Sequence, residues 1–217
     1  MRKYLYVVAA CLLFACKQPD KALVAKHTSL PYYTSADLTP HWKGDTGYIA
    51  DSGHRIPSFR FTDQAGKQVT EATFAGKIYV ANFFFTACPG ICKILTTNLK
   101  MVQQAFANDD RVLLLSHSVT PEQDTVARLR DYAHNFKLID TKWHLVTGDK
   151  NSIYAIARKA YFADEDLGEQ KDANDFLHTE NVLLIDQQRK IRGVYKGTSP
   201  VEIQHLVNDI KTLEEEQ

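Results

Sequence analysis

The sequence predicts an α/β fold with a mostly parallel central sheet, an N-terminal β-hairpin extension and a C-terminal ββα unit. Three observations predict it. The runs Ile78 to Phe85 and Arg111 to Leu115 are almost continuously apolar, as strands buried on both faces are. Segments with apolar residues at helical spacing follow these runs, and strands that alternate with helices pair in parallel. The chain then ends in two short apolar runs, Val182 to Ile185 and Ile191 to Tyr195, which read as a hairpin before a final helix.

Taken in order, Phe59-Arg60-Phe61 alternates, Asp63-Gln64-Ala65-Gly66 turns, and Gln68-Val69-Thr70 returns, forming a hairpin. The buried strand Ile78 to Phe85 follows. A helix over 91–106 places Ile94, Leu95, Leu99, Val102 and Phe106 at helical spacing. Arg111 to Leu115 is the second buried strand. Thr120-Pro121-Glu122-Gln123 predicts the next helix start: an N-cap, proline in the first helical position and a capping-box glutamine. Trp143 to Val146 is a short strand, Asp149 caps a helix to Ala160, and 164–175 is a polar loop. After the closing hairpin, Ser199-Pro200-Val201-Glu202 supplies a capping box for the last helix. The order βαβαβα, then ββα, is the thioredoxin-like arrangement. Ligands gather beyond the carboxyl ends of parallel strands in such a sheet.

The N-terminus carries an address. Arg2 and Lys3 precede an apolar stretch, Leu5 to Ala15, that is too short to span a bilayer and stops at Cys16. This order resembles a bacterial lipobox, so residues 1–16 are expected to be a lipoprotein signal peptide with Cys16 lipidated. Residues 17–45 form a tether, and its aromatics, Tyr32 and Trp42 among them, are expected either to cover a sheet edge or only to tether. Residues 46–217 form the folded domain, enough chain for a sizeable core. With 26 basic and 26 acidic residues, there is no charge excess to recruit nucleic acid.

Of the four cysteines, Cys11 leaves with the signal and Cys16 takes the lipid, leaving Cys88 and Cys92. They enclose Pro89-Gly90-Ile91 at the end of the first buried strand and the head of a helix. Unpaired N–H groups there favour a thiolate. Two sulfurs about one helical turn apart can hold a soft ion such as Cu(I), close a disulfide, or both. A copper site needs a further ligand. His27, His41 and His54 fall in the tether or at its junction; His134 and His205 read as solvated helix residues, and His144 as a satisfied strand residue. Two remain. His117 follows the second strand at its carboxyl end, on the cysteine side. His178 stands just before Val182 to Ile185, where thioredoxins carry a cis-proline; no proline occurs between Pro121 and Pro200.

Phe84 to Cys92, reading FFTACPGIC, resembles the copper motif of the Sco/SenC family. Ser118 to Thr125 resembles its post-strand segment, Trp143 to Gly148 its short strand and turn, Leu177-His178-Thr179 its histidine loop, and Val182–Gly193 its closing hairpin. Lys93, Leu177, Thr120 and Gln123 depart from that pattern: the family usually has proline, aspartate, aspartate and arginine at these places. The resemblance implies a membrane-tethered thioredoxin-fold copper protein of the cell envelope, lipid-anchored, monomeric and facing the periplasm. Cys88, Cys92 and His178 would be its copper ligands, for Cu(I) and for Cu(II) as a further state. It would deliver copper to cytochrome c oxidase subunit II or another envelope cuproprotein, or reduce the cysteines of the binuclear copper site. It is read as a carrier rather than a turnover enzyme. The alternative is an envelope thiol–disulfide oxidoreductase, with Cys88 the more exposed, attacking thiolate and Cys92 resolving. A thiol peroxidase (Thr86-Ala87-Cys88-Pro89) and a plain structural bridge are weaker rivals.

Overall fold

The computed structural model describes residues 29–45, 53–163, 177 and 179–216. The signal peptide with Cys16, the first part of the tether, the whole 164–175 loop and His178 lie outside the described residues.

The strands are β1 (Tyr32–Tyr33), β2 (Pro40–His41), β3 (Arg60–Asp63), β4 (Gln68–Thr70), β5 (Ile78–Phe84), β6 (Val112–Ser118), β7 (Trp143–Thr147), β8 (Asn181–Ile185) and β9 (Ile191–Lys196). The helices are α1 (Ile91–Ala105), α2 (Val126–Phe136), α3 (Lys150–Lys159) and α4 (Pro200–Glu215). All strands share one sheet in the order β2-β1-β9-β8-β5-β6-β7-β3-β4. β5, β6 and β7 run parallel, while β8, β9, β1 and the β3–β4 hairpin add antiparallel partners on either side. This is the expected α/β architecture, thioredoxin-like at its centre.

Every residue of β5 and of β6 is buried, because both faces of the sheet are covered. On one face Leu95 and Leu99 of α1, Leu129 of α2 and Ile203 and Leu206 of α4 meet Val80, Leu114 and Leu145. Phe59, Phe61 and Phe74, with Ile153 and Ala157 of α3, cover the other, against Ala81, Leu115 and Val146. Cys88 and Cys92 belong to the first face.

β6 is longer than the apolar run suggests. Ser116, His117 and Ser118 continue the strand in register with Asn82, Phe83 and Phe84 of β5. Alternation along a strand sends Ser116 and Ser118 to the face of Leu114, and His117 to the face of Leu113 and Leu115. Ser116 Oγ donates to Asn82 Oδ1 at 2.6 Å and accepts from Trp143 Nε1 at 2.8 Å, so a polar strand end stays buried at little cost. The helix predicted from Thr120 begins later. Residues 121–123 form a turn, and Thr125 is the N-cap of α2, accepting from Arg128 N at 3.3 Å. Asp149 and Ser199 cap α3 and α4 as expected. Ile94, placed on the apolar face of α1 by its spacing, is 51% exposed.

Tyr32 and Tyr33 pair with β9 and add an edge to the sheet, with β2 outside them. Arg192 holds this edge: its guanidinium donates to Pro31 O, Leu30 O and Glu216 Oε2 at 3.0, 2.8 and 2.6 Å, beneath the Tyr32 ring. Gly197 closes the cysteine end. A Cβ there would stand 2.9 Å from both Glu180 O and a Leu95 methyl, so only glycine lets the chain after β9 touch α1 and the start of β8 together.

Candidate metal centre

β5 ends at Phe84, and four residues later the chain reaches Cys88. Gly90 is the N-cap of α1 and contributes no side-chain cap, which leaves first-turn N–H groups free for another acceptor. Cys88 sulfur is that acceptor: the backbone N–H groups of Gly90 and Cys92 donate to it, as does the Cys92 thiol. Phe85 N–H donates to Cys92 sulfur. The two cysteines are unbridged.

Burial and charge treat the two thiols differently. Burial works to raise Cys88, but the donated hydrogen bonds and the Lys93 ammonium outweigh it, and its pKa falls below the ordinary thiol value. For Cys92 burial dominates and, with the Cys88 sulfur beside it, pushes the thiol up to about 12. Both residues are 6% exposed, so surface access does not separate them. Cys92 lies deeper among protein atoms, and that burial, with the hydrogen bonds donated to Cys88, sets the asymmetry; the expectation that Cys88 is the more exposed of the two holds for depth and not for surface accessibility. As pH rises from mildly acidic values, Cys88 ionises first, and Cys92 stays a thiol until strongly alkaline pH. Iodoacetamide at about pH 7, followed by peptide mapping, is therefore expected to modify Cys88 well before Cys92. Equal modification would contradict this electrostatic ordering.

Asp124 was not singled out from the sequence, yet it organises the loop. It is fully buried and accepts from Thr86 N (3.2 Å), Thr86 Oγ1 (2.5 Å), Ser118 Oγ (2.6 Å) and Thr120 Oγ1 (3.0 Å). Thr86 in turn accepts from Arg128 Nε at 2.9 Å. The carboxylate thus ties the cysteine loop to the end of β6 and the start of α2. An acid just after a proline turn reads locally as a helix-start residue, and only the tertiary fold reveals its inward turn.

The histidines sort cleanly. His117 is fully buried on the face opposite the cysteines, 5.0 Å from the Phe83 ring and 5.5 Å from Phe61. Burial drives its pKa down to about 3, so it is a neutral core residue. Its proposed place on the cysteine side is therefore corrected, because β6 continues to Ser118 and alternation turns His117 to the opposite face. His144 donates from Nδ1 to Asp63 Oδ2 at 3.1 Å, a satisfied strand residue as expected. His54 donates to Ala160 O at 2.9 Å. His178 lies outside the described residues, but its chain neighbours do not. Leu177 and Thr179 are buried, and they line a small cavity together with Cys92, Phe84, Phe85, Ile91 and Val119. Among the described residues, no group of three or more His, Cys, Asp or Glu side chains converges on one point.

The SCO1/SenC family model matches residues 50–215. Among solved structures, a SCO1/SenC family lipoprotein from Bacillus anthracis is 28% identical, with a TM-score of 0.64 over 74% of this chain and 95% of its own. BsSco, a member of the Sco family of cytochrome c oxidase assembly proteins with a disulfide switch, is 25% identical, with a TM-score of 0.63 over 76% and 95%. ScoI of Bradyrhizobium japonicum, with copper bound, is 26% identical, with a TM-score of 0.58 over 73% and 99%. With the two-cysteine loop seated at the head of α1 and the family pattern running through all of the central sheet, this chain belongs to the SCO1/SenC family.

Proposed function

We propose that the protein is a membrane-anchored copper chaperone in which Cys88 and Cys92 hold copper as thiolates and His178 adds an imidazole. The copper is passed to the binuclear copper site of cytochrome c oxidase subunit II, or the dithiol reduces that site's cysteines. One observation carries this reading. Two unbridged thiols touch at a helix N-terminus, and the residues either side of His178 line the same cavity as Cys92. Soft thiolates suit Cu(I), and an imidazole completes a three-coordinate site. Because Cys92 is held as a thiol, loading copper releases its proton, so affinity rises with pH.

Copper in the Bradyrhizobium neighbour and oxidase assembly in the BsSco family support the cargo and the destination. The lipoprotein neighbour supports a lipid anchor, which in this chain Cys16 would carry; in this reading the domain faces the periplasm as a monomer. Among the described residues, no helix is long and apolar enough to cross a membrane. The decisive experiment is an anaerobic Cu(I) titration of the reduced protein, read by X-ray absorption. One copper per chain with two sulfur neighbours and one nitrogen neighbour is expected. Loss of the metal to a weak competing ligand would reject the chaperone reading.

A second reading, a thiol–disulfide oxidoreductase, is favoured by the opposite shifts of the two thiols, which suit Cys88 to attack and Cys92 to resolve. It requires no nitrogen ligand, so the same titration separates the two.

A further inference from the structure

A second concave site lies on the sheet face away from the cysteines. A cavity of about 570 Å³ opens between residues 54–61 and α3. That volume falls within the range of small-molecule sites. Its floor is apolar: Phe59, Phe61 and Ile156 line it and are 9%, 3% and 6% exposed. Its rim is cationic, with Arg55, Arg60 and Lys159, and among the described residues no carboxylate lines it. Arg60 and Lys159 form no ion pair with any described residue.

The floor is preformed. The Phe59 and Phe61 rings lie nearly parallel, 20° apart with centroids 5.6 Å apart. The His117 ring backs both of them edge-on. Phe61 also rests on Gly148, where a Cβ would come within 2.9 Å of its ring. A wall fixed by the core costs little ordering when a flat ligand settles on it. The C-terminal end of α3 would ordinarily repel an anion. Here His54 donates to the Ala160 carbonyl, and Lys159 in the last turn brings an ammonium to the rim, which offsets that repulsion.

We propose that this cavity binds a small amphipathic anion, a carboxylate carried on an aromatic ring system. The ring lies against Phe59, Phe61 and Ile156, and the carboxylate sits between Arg60 and Lys159. The apolar floor selects for the ring and the cationic rim for the charge. Neither alone gives the full affinity, and the copper-site residues take no part.

The test is isothermal titration of the reduced full chain with 2-naphthoate, beside 2-naphthylmethanol (ring without charge) and acetate (charge without ring). Saturable one-to-one binding of 2-naphthoate is expected, at least about tenfold tighter than either control. The exposed pair Arg60→Gln with Lys159→Gln is expected to weaken it about tenfold. Ala155→Trp, which fills the cavity from an exposed helix position, should abolish it. Cys88→Ser should leave it unchanged. Thermal midpoints close to wild type would show that both cavity variants fold. Binding no tighter than acetate or the alcohol, or binding unaltered in the two cavity variants, would overturn the proposal.

Discussion

Replacing His178 with alanine is expected to weaken Cu(I) binding at least about 100-fold, since removing a direct ligand should exceed the 10–100-fold typical of losing an outer partner. The dithiol should remain able to reduce a disulfide. Cys88 and Cys92 alone can hold Cu(I) between two sulfurs, so the expected loss is of the third neighbour and of its share of affinity. The fold should survive, because the chain on both sides is pinned without the imidazole. Leu177 is buried, and Thr179 Oγ1 accepts from Asn181 N at 3.0 Å. Competition against a chromophoric Cu(I) chelator measures the affinity, and X-ray absorption reports whether the nitrogen neighbour disappears. Unchanged affinity would remove His178 from the ligand set. His117 could not take its place, since the sheet separates it from the sulfurs.

The strands and the cysteine loop were legible because their physics is local. An unbroken apolar run must be buried on both faces, and a thiol pair at a helix head meets free N–H groups whatever lies around it. What was not legible depended on partners distant in sequence. Ser116-His117-Ser118 looks like the start of a loop, yet each serine finds a buried partner, Asn82 or Asp124, and the strand runs on. That extension reverses the assignment of His117. Thr120-Pro121 has the local chemistry of a helix start, but Asp124 is drawn inward by Thr86 and Ser118, and α2 cannot begin before Thr125. The direction of the thiol asymmetry is legible at the helix head, where free N–H groups favour a Cys88 thiolate, but its size is not: the depth of Cys92 depends on tertiary packing.

Asp124→Ala is expected to destabilise the protein by about 3–5 kcal/mol, because it strips the acceptor from several donors at once. Ser118 is fully buried and has no water to turn to, whereas Thr86 and Thr120 are only half-buried. Asp124→Asn separates shape from charge. The oxygen that accepts from Thr86 N must stay an oxygen, so the new amide NH2 faces Thr86 Oγ1, which already accepts from Arg128 Nε. A hydroxyl oxygen has two lone pairs and can accept both, so the asparagine variant should lose only about 1–2 kcal/mol. Urea denaturation midpoints measure both costs. The asparagine variant also removes a negative charge that, after burial and the Cys88 sulfur, helps to hold Cys92 as a thiol. Cys92 alkylation should then begin at lower pH while that of Cys88 changes little. An alanine variant within about 1 kcal/mol of wild type would mean that the clamp between Thr86 and β6 does not hold the cysteine loop. An asparagine variant with an unmoved Cys92 profile would confine Asp124 to that mechanical role.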